Sequence, residues 1–217
     1  MKNHILKSGK IITLFLISSS VLGACTNDTV KPSETDKIPT SYMHGSFVID
    51  VDNPEATVGF SDYTFIGYVN KNTGTRYEDV QTMEQENGST KEASTPYTQY
   101  NVTVIENIKG ELEQDKEISL EKAGGINEEN TEYFLYEEDS LPTQGKYYIF
   151  TANAQDDGSL LVSGPNSNVL IDDINAKNKA AAEEKVVVTE TAKEYTEAYE
   201  NEIPYKRDRS KSDYEAE

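Results

Sequence analysis

The sequence predicts a mainly β protein: a small barrel or sandwich with a C-terminal helix, preceded by a flexible tether and followed by a disordered tail. Three observations predict it. From Ser46 onward, short runs of β-branched and aromatic residues are separated by turn residues. One run, residues 96–108, carries a clear period-two alternation, and a stretch rich in Ala, Glu and Lys follows Asp172 and Asp173.

The elements follow in order. Residues 46–51 are the first candidate strand, closed by Asp52, Asn53 and Pro54. Residues 62–70 are the second, in which Gly67 marks a bulge or barrel corner. A turn over 71–74 leads to a weaker strand over 76–82 and a polar loop over 84–95. In the next strand Tyr100, Val102 and Val104 share one face while Gln99, Asn101 and Thr103 share the other, as expected of a strand with one face on a core. Lys109 and Gly110 end it. Residues 116–120 follow with Ile118 and Leu120 inward, stopped by Gly124 and Gly125. After an acidic loop come residues 132–137, then the strands 147–152 and 159–163 around a hairpin turn with Gly158 at its positive-φ position.

Asp172 and Asp173 offer helix caps. Val188, Ala192, Tyr195 and Tyr199 then draw one apolar stripe along a helix that Pro204 terminates, although the run Val186, Val187, Val188 and Thr189 favours helix poorly. The resulting division is a β-barrel domain over 46–172, a helical segment over 173–203 and a disordered tail over 204–217.

The N-terminus reads as a leader. Lys2, Lys7 and Lys10 make a cationic start before an apolar run over 11–22, too short at about 1.5 Å per residue to cross a bilayer core of about 30 Å. It ends in Leu22-Gly23-Ala24-Cys25, a branched apolar residue and two small ones ahead of the only cysteine of the chain. This pattern is that of a bacterial lipobox. Cleavage after residue 24 leaves Cys25 to carry an S-diacylglycerol and an N-acyl group, and two signals of this kind suffice for stable anchoring without a spanning helix. Residues 25–45, polar and containing Pro32 and Pro39, read as a flexible tether. The expected location is the outer face of a cell membrane.

Charge narrows the partners. The chain carries a formal net charge of -19, and removing a leader with three lysines and no acid leaves -19 minus 3, or -22. Such a chain has no basic face for nucleic acid, nor a polybasic patch for anionic lipid. One cysteine excludes a disulfide framework. The two histidines are His4, in the leader, and His44, in the tether, so a multi-His metal or haem site is not expected.

No cofactor and no enzymatic activity are expected. There is no Gly-x-Ser-x-Gly elbow, and His44 has nothing around it in the tether to orient it as a base. Carboxylate pairs occur at Glu128 and Glu129, at Glu137, Glu138 and Asp139, at Asp156 and Asp157, and at Asp172 and Asp173, but none lies in apolar sequence that would raise its pKa. The acidic region around Glu128 to Glu138 lacks the ligand spacing of a calcium loop. Tyrosine is the remaining candidate: of 14 in the chain, Tyr97, Tyr100, Tyr147 and Tyr148 lie on predicted strands and are candidate binding residues, able to stack on sugars or anchor a protein. Adjacent Tyr147 and Tyr148 face opposite sides of their strand, which predicts that at least one is exposed.

The order of blocks over roughly residues 60–172 resembles a family of uncharacterised lipoproteins of Gram-positive bacteria. The blocks are Asp62 to Val69, Pro96 to Val104 with Lys109 and Gly110, Gly124 with Gly125, Gly145 to Phe150, and Gly164 to Asn168. The resemblance implies location and no activity. More remotely, a strand with Gly67 and Val69 followed by one ending in Lys109 and Gly110 is similar to netrin-like and metalloproteinase-inhibitor modules, which implies an OB-type barrel. The functional expectation is a membrane-anchored extracytoplasmic lipoprotein with a binding or interaction domain, directed at cell-wall polymer or a surface protein. A wall-polymer hydrolase using paired carboxylates, or a structural, cation-buffering surface protein, are the alternatives.

Overall fold

The computed structural model describes residues 38–84, 90–172, 174 and 176–216. The leader, Cys25 and most of the expected tether lie outside the described residues. The elements run β1 (Thr40–Met43), α1 (Pro54–Phe60), β2 (Tyr63–Glu84), β3 (Thr90–Lys109), β4 (Glu117–Ala123), β5 (Gly125–Ile126), β6 (Tyr133–Tyr136), β7 (Tyr147–Ala154), β8 (Leu160–Val162), β9 (Asn168–Ile171), α2 (Lys179–Val186) and α3 (Glu190–Glu200).

Five strands close into a ring. β2 pairs with β3, β3 with β4, β4 with β8, β8 with β7, and β7 back onto β2. Every pairing is antiparallel except β4 with β8. This is the expected mainly β fold, a sheet that nearly closes into a barrel, with β9 added outside on β7. A second sheet, in the order β1-β6-β5, contains the parallel pair β1 and β6.

The barrel is filled by one face of each strand: Phe65 and Val69, Tyr100, Val102 and Val104, Ile118 and Leu120, Tyr148 and Phe150, Leu160 and Val162. The predicted inward faces of β3 and β4 are therefore borne out. Gly67 lies where β2 pairs on both sides, next to a register shift between Ile66 and Gly67. A Cβ there would meet Val102 at 2.6 Å and Phe150 at 2.9 Å, so glycine is required by close approach. Gly158 adopts φ +81° in the β7–β8 hairpin, as its turn position predicts.

A second apolar layer covers the outside of β2 and β7. Ile66, Tyr147, Ile149 and Ile171 pack against Val58 of α1, Ala182 and Val186 of α2, and Ala192, Tyr195 and Ala198 of α3. This layer explains why β7 reads as a nearly continuous apolar run: it is buried on both faces. It also corrects the expectation for Tyr147 and Tyr148. They face opposite sides as predicted, yet both sides are covered and both residues are buried.

Four further expectations are corrected. Residues 46–51 form no strand; Phe47 packs edge-on against Tyr136, centroids 5.5 Å apart, and Val48 and Ile49 line a narrow space against Thr57, Phe60 and Thr151. Asn53 and Pro54 do not close a strand but start α1, the Asn53 side chain accepting a hydrogen bond from the Glu55 amide at 2.9 Å and proline taking the first turn. Residues 40–43, placed in the tether by the sequence reading, instead form a strand that pairs with Tyr133–Tyr136. The single C-terminal helix is two helices: the chain breaks at the β-branched run, and Thr189 caps α3 by accepting from the Ala192 amide. In the predicted stripe Ala192 and Tyr195 are buried, whereas Val188 and Tyr199 are exposed and Ala198 takes the third inward place.

The sixth correction is the tail. Residues 207–216 lie along the end of the barrel as a strap. Arg207 Nη2 and Arg209 Nη1 reach the two oxygens of the Asp62 carboxylate at 2.7 and 2.8 Å. Arg209 also donates to the Gly59 and Ser61 carbonyls at the end of α1. Farther on, the Asp213 amide donates to the Gly158 carbonyl, the Glu113 amide to the Tyr214 carbonyl, and the Tyr63 hydroxyl to Glu215 Oε1 at 2.5 Å. A polar, mixed-charge sequence reads as solvated, and only these partners, more than 50 residues away in the chain, give it a fixed path.

Candidate functional site

The open side of the barrel holds a cleft of about 440 Å³, walled by Arg76 of β2, Tyr97 of β3, Glu121 of β4 and Leu161 of β8, with Gln155, Asp157 and Ser159 from the β7–β8 hairpin. Strand register assembles it. Arg76 is paired with Tyr97, Gln99 with Glu121, and Glu121 with Leu161, so four neighbouring strands each project one side chain to the same outer face.

Arg76 organises the floor. Its Nε donates to Glu121 Oε1 at 3.0 Å and its Nη2 to Glu121 Oε2 at 2.5 Å, a bidentate pair, while the guanidinium carbon lies 4.9 Å from the Tyr97 ring centroid. Gln99 Nε2 donates to the same Glu121 oxygen at 3.0 Å, and Glu78 forms a second ion pair with Arg76. The Arg76 hydrogen bonds hold the Glu121 carboxyl below the usual carboxylate range against the opposing effect of burial, and Glu121 in turn raises the Arg76 pKa. At the rim, hydrogen bonds from the Ser159 hydroxyl and amide lower the pKa of Asp157.

This chemistry suits binding better than hydrolysis. Glycoside hydrolysis needs one carboxyl kept protonated near neutral pH to act as general acid. Glu121 and Asp157 are both shifted toward the ionised form, so neither supplies that proton. What remains is an aromatic ring, a guanidinium, an amide and carboxylates on one concave surface, a mixture of hydrogen-bond donors and acceptors beside one ring face.

The sequence-predicted site residues are dispersed. Tyr97 is half-buried in the cleft wall. Tyr100 and Tyr148 fill the barrel and Tyr147 lies under the helices, so burial overturns a ligand face built from the four together. Cys25 lies outside the described residues. His44 is exposed, its Nδ1 3.5 Å from Glu137. Among the carboxylates, Asp139 is buried with Lys122 Nζ 2.6 Å from it, and burial raises its pKa, contrary to the expectation that no carboxylate pair lies in surroundings that do so.

Lys122 Nζ also donates to the Ser167 hydroxyl at 2.9 Å and the Gly164 carbonyl at 3.0 Å. Proximity of a lysine to a serine invites a nucleophile reading, but the Ser167 proton is committed to the Gly164 carbonyl and all three lysine donors have acceptors. The cluster ties β4 to two loops. Sequence reasoning missed Arg76 and Glu121, although the chain has only three arginines, Arg76, Arg207 and Arg209, and each sits in an ion pair. No protein-family model matches the chain, and no curated protein matches it.

Proposed function

We propose that this chain is a lipid-anchored, extracytoplasmic binding module, held on the outer face of the cell membrane through Cys25 and taking a polyhydroxylated cell-wall polymer in the barrel-face cleft. The observation that carries the reading is the position of the cleft. In OB-type barrels the same strand face and the hairpin loops beside it bind oligosaccharides and oligonucleotides. A strongly acidic chain disfavours the second of these and leaves the first.

The anchor reading rests on the only cysteine following Leu22, Gly23 and Ala24. Among the described residues no helix is long and apolar enough to cross a membrane. The chain's surface charge repels anionic headgroups, so attachment through acyl chains fits it better than adsorption does.

Two measurements test the proposal. Radiolabelled palmitate is incorporated by the wild-type protein in cells and not by Cys25→Ser; equal labelling overturns the anchor. Soluble wall-polysaccharide fragments bind the wild-type protein, and Tyr97→Ala weakens binding at least five-fold while the far-ultraviolet circular dichroism is kept, given the roughly 1–3 kcal/mol of a stacked aromatic and its cation contact. Unchanged binding by Tyr97→Ala and by Arg76→Ala overturns the cleft.

A further inference from the structure

A second cavity lies outside the barrel, between the outer face of β2 and β7 and the first turn of α2. Its volume is about 360 Å³, within the range of small-molecule sites. It shares no residue with the barrel-face cleft.

Its walls divide by chemistry. Ile171, Ile174 and Ala182 make an apolar floor, and Lys146 and Lys179 stand at the rim. Tyr68 and Tyr147 complete it, their centroids 4.9 Å apart and their planes tilted by 52°. Tyr147 is 7% exposed and lines the cavity. A tyrosine hydroxyl both donates and accepts, so it supplies this wall with a polar group. Burial, then the charge of Glu183 and the neighbouring Tyr68, raises its pKa and keeps that proton in place.

The charge is unusual for this chain. Lys179 Nζ lies 5.6 Å from the Tyr68 ring centroid and 3.5 Å from Glu183 Oε1. Both charged residues that line the cavity are lysines, with Glu183 beside Lys179, in a chain of net charge -19. Two ammonium groups, a hydroxyl and an apolar floor match a carboxylate on an apolar body.

We infer that this cavity is a binding site for a small organic carboxylate, its apolar body on Ile171, Ile174 and Ala182 and its carboxylate received by Lys146, Lys179 and the Tyr147 hydroxyl. The inference does not depend on what the barrel-face cleft binds.

The test uses the purified protein with ¹³C-labelled tyrosine rings, observed by nuclear magnetic resonance. Three probes are titrated: N-acetyl-leucine, its uncharged analogue N-acetyl-leucinamide, and inorganic phosphate. N-acetyl-leucine shifts the Tyr68 and Tyr147 signals saturably, and the amide binds at least ten-fold more weakly. Tyr147→Phe, which keeps the ring and deletes only the donor, weakens N-acetyl-leucine about ten-fold, in line with a hydrogen bond to a charged group. Lys146→Gln with Lys179→Gln abolishes saturation. Equal binding of acid and amide, tighter binding of phosphate, or no shift of either ring with any probe overturns the site. The comparison of probes on the wild type needs no variant to fold.

Discussion

Lys122 Nζ lies 2.6 Å from Asp139 Oδ2 with the two side chains 0% and 2% exposed, so a complete ion pair is enclosed between β4 and the loops at 139–140 and 164–167. Removing one member leaves the other charge buried without compensation, which costs about 3–5 kcal/mol. Lys122→Met therefore destabilises the protein by that amount in urea unfolding. Lys122→Met combined with Asp139→Leu recovers most of the loss, because the desolvated charge is gone. A single variant as stable as the wild type would show that the pair carries no buried charge.

The strap makes a second prediction. Arg207→Gln and Arg209→Gln each withdraw a charged donor from the enclosed Asp62 carboxylate, and each lowers stability by about 1.5–3 kcal/mol. The double variant falls short of the sum because the two share one partner. Hydrogen exchange at the Glu113 and Asp213 amides, which bond within the strap contacts, speeds up in both variants.

Alkaline pH separates two groups of opposite sign. Burial, reinforced by Glu215, pushes Tyr63 up to about 12, and burial, reinforced by Glu194, does the same for Tyr195. Above the ordinary tyrosine pKa of 10 the unfolded chain ionises while the folded one does not, so their stabilisation is complete below pH 10 and is lost as pH rises toward 12. Burial lowers Lys122 from 10.5 to about 8 despite Asp139. Between those values the unfolded chain holds a proton that the folded chain has released, and stability rises with pH. The melting temperature is expected to climb from pH 8 toward 10 and fall steeply beyond. In Lys122→Met the climb disappears and the fall stays.

Gly67→Ala tests the barrel directly. Its methyl group meets Val102 and Phe150 inside contact distance, on a strand paired on both sides. The expected loss is about 1–3 kcal/mol from overpacking, read from the urea midpoint. Gly74→Ala has nothing within 4 Å of the added carbon but lies at φ +140°, so any loss there reports backbone strain and not crowding.

Much of the fold was legible because the barrel obeys period two. The inward residues of β3 and β4, the bend at Gly67 and the turn at Gly158 follow from alternation and turn chemistry alone. Extending the phase of Ile118 and Leu120 by two residues also puts Lys122 on the core face, a signal that its charge concealed. The uninterrupted apolar run at 147–150 carried another: a strand buried on both faces, and hence a cover of helices over Tyr147. Other features depend on partners far away in sequence. Asp62 and the strap arginines meet across more than 140 residues, and the cleft requires four strands in register before Arg76 can reach Glu121. No local window of sequence holds that information.

The strap sets an order on biogenesis. Residues 207–215 follow every strand of the barrel in the chain, so, as it emerges N-terminus first, Asp62, Tyr63 and the β7–β8 hairpin wait for their last partners until the whole barrel has appeared. A nascent or clipped chain that stops short of Arg207 has a ring of strands with one end open, and that opening is where a protease would find it first.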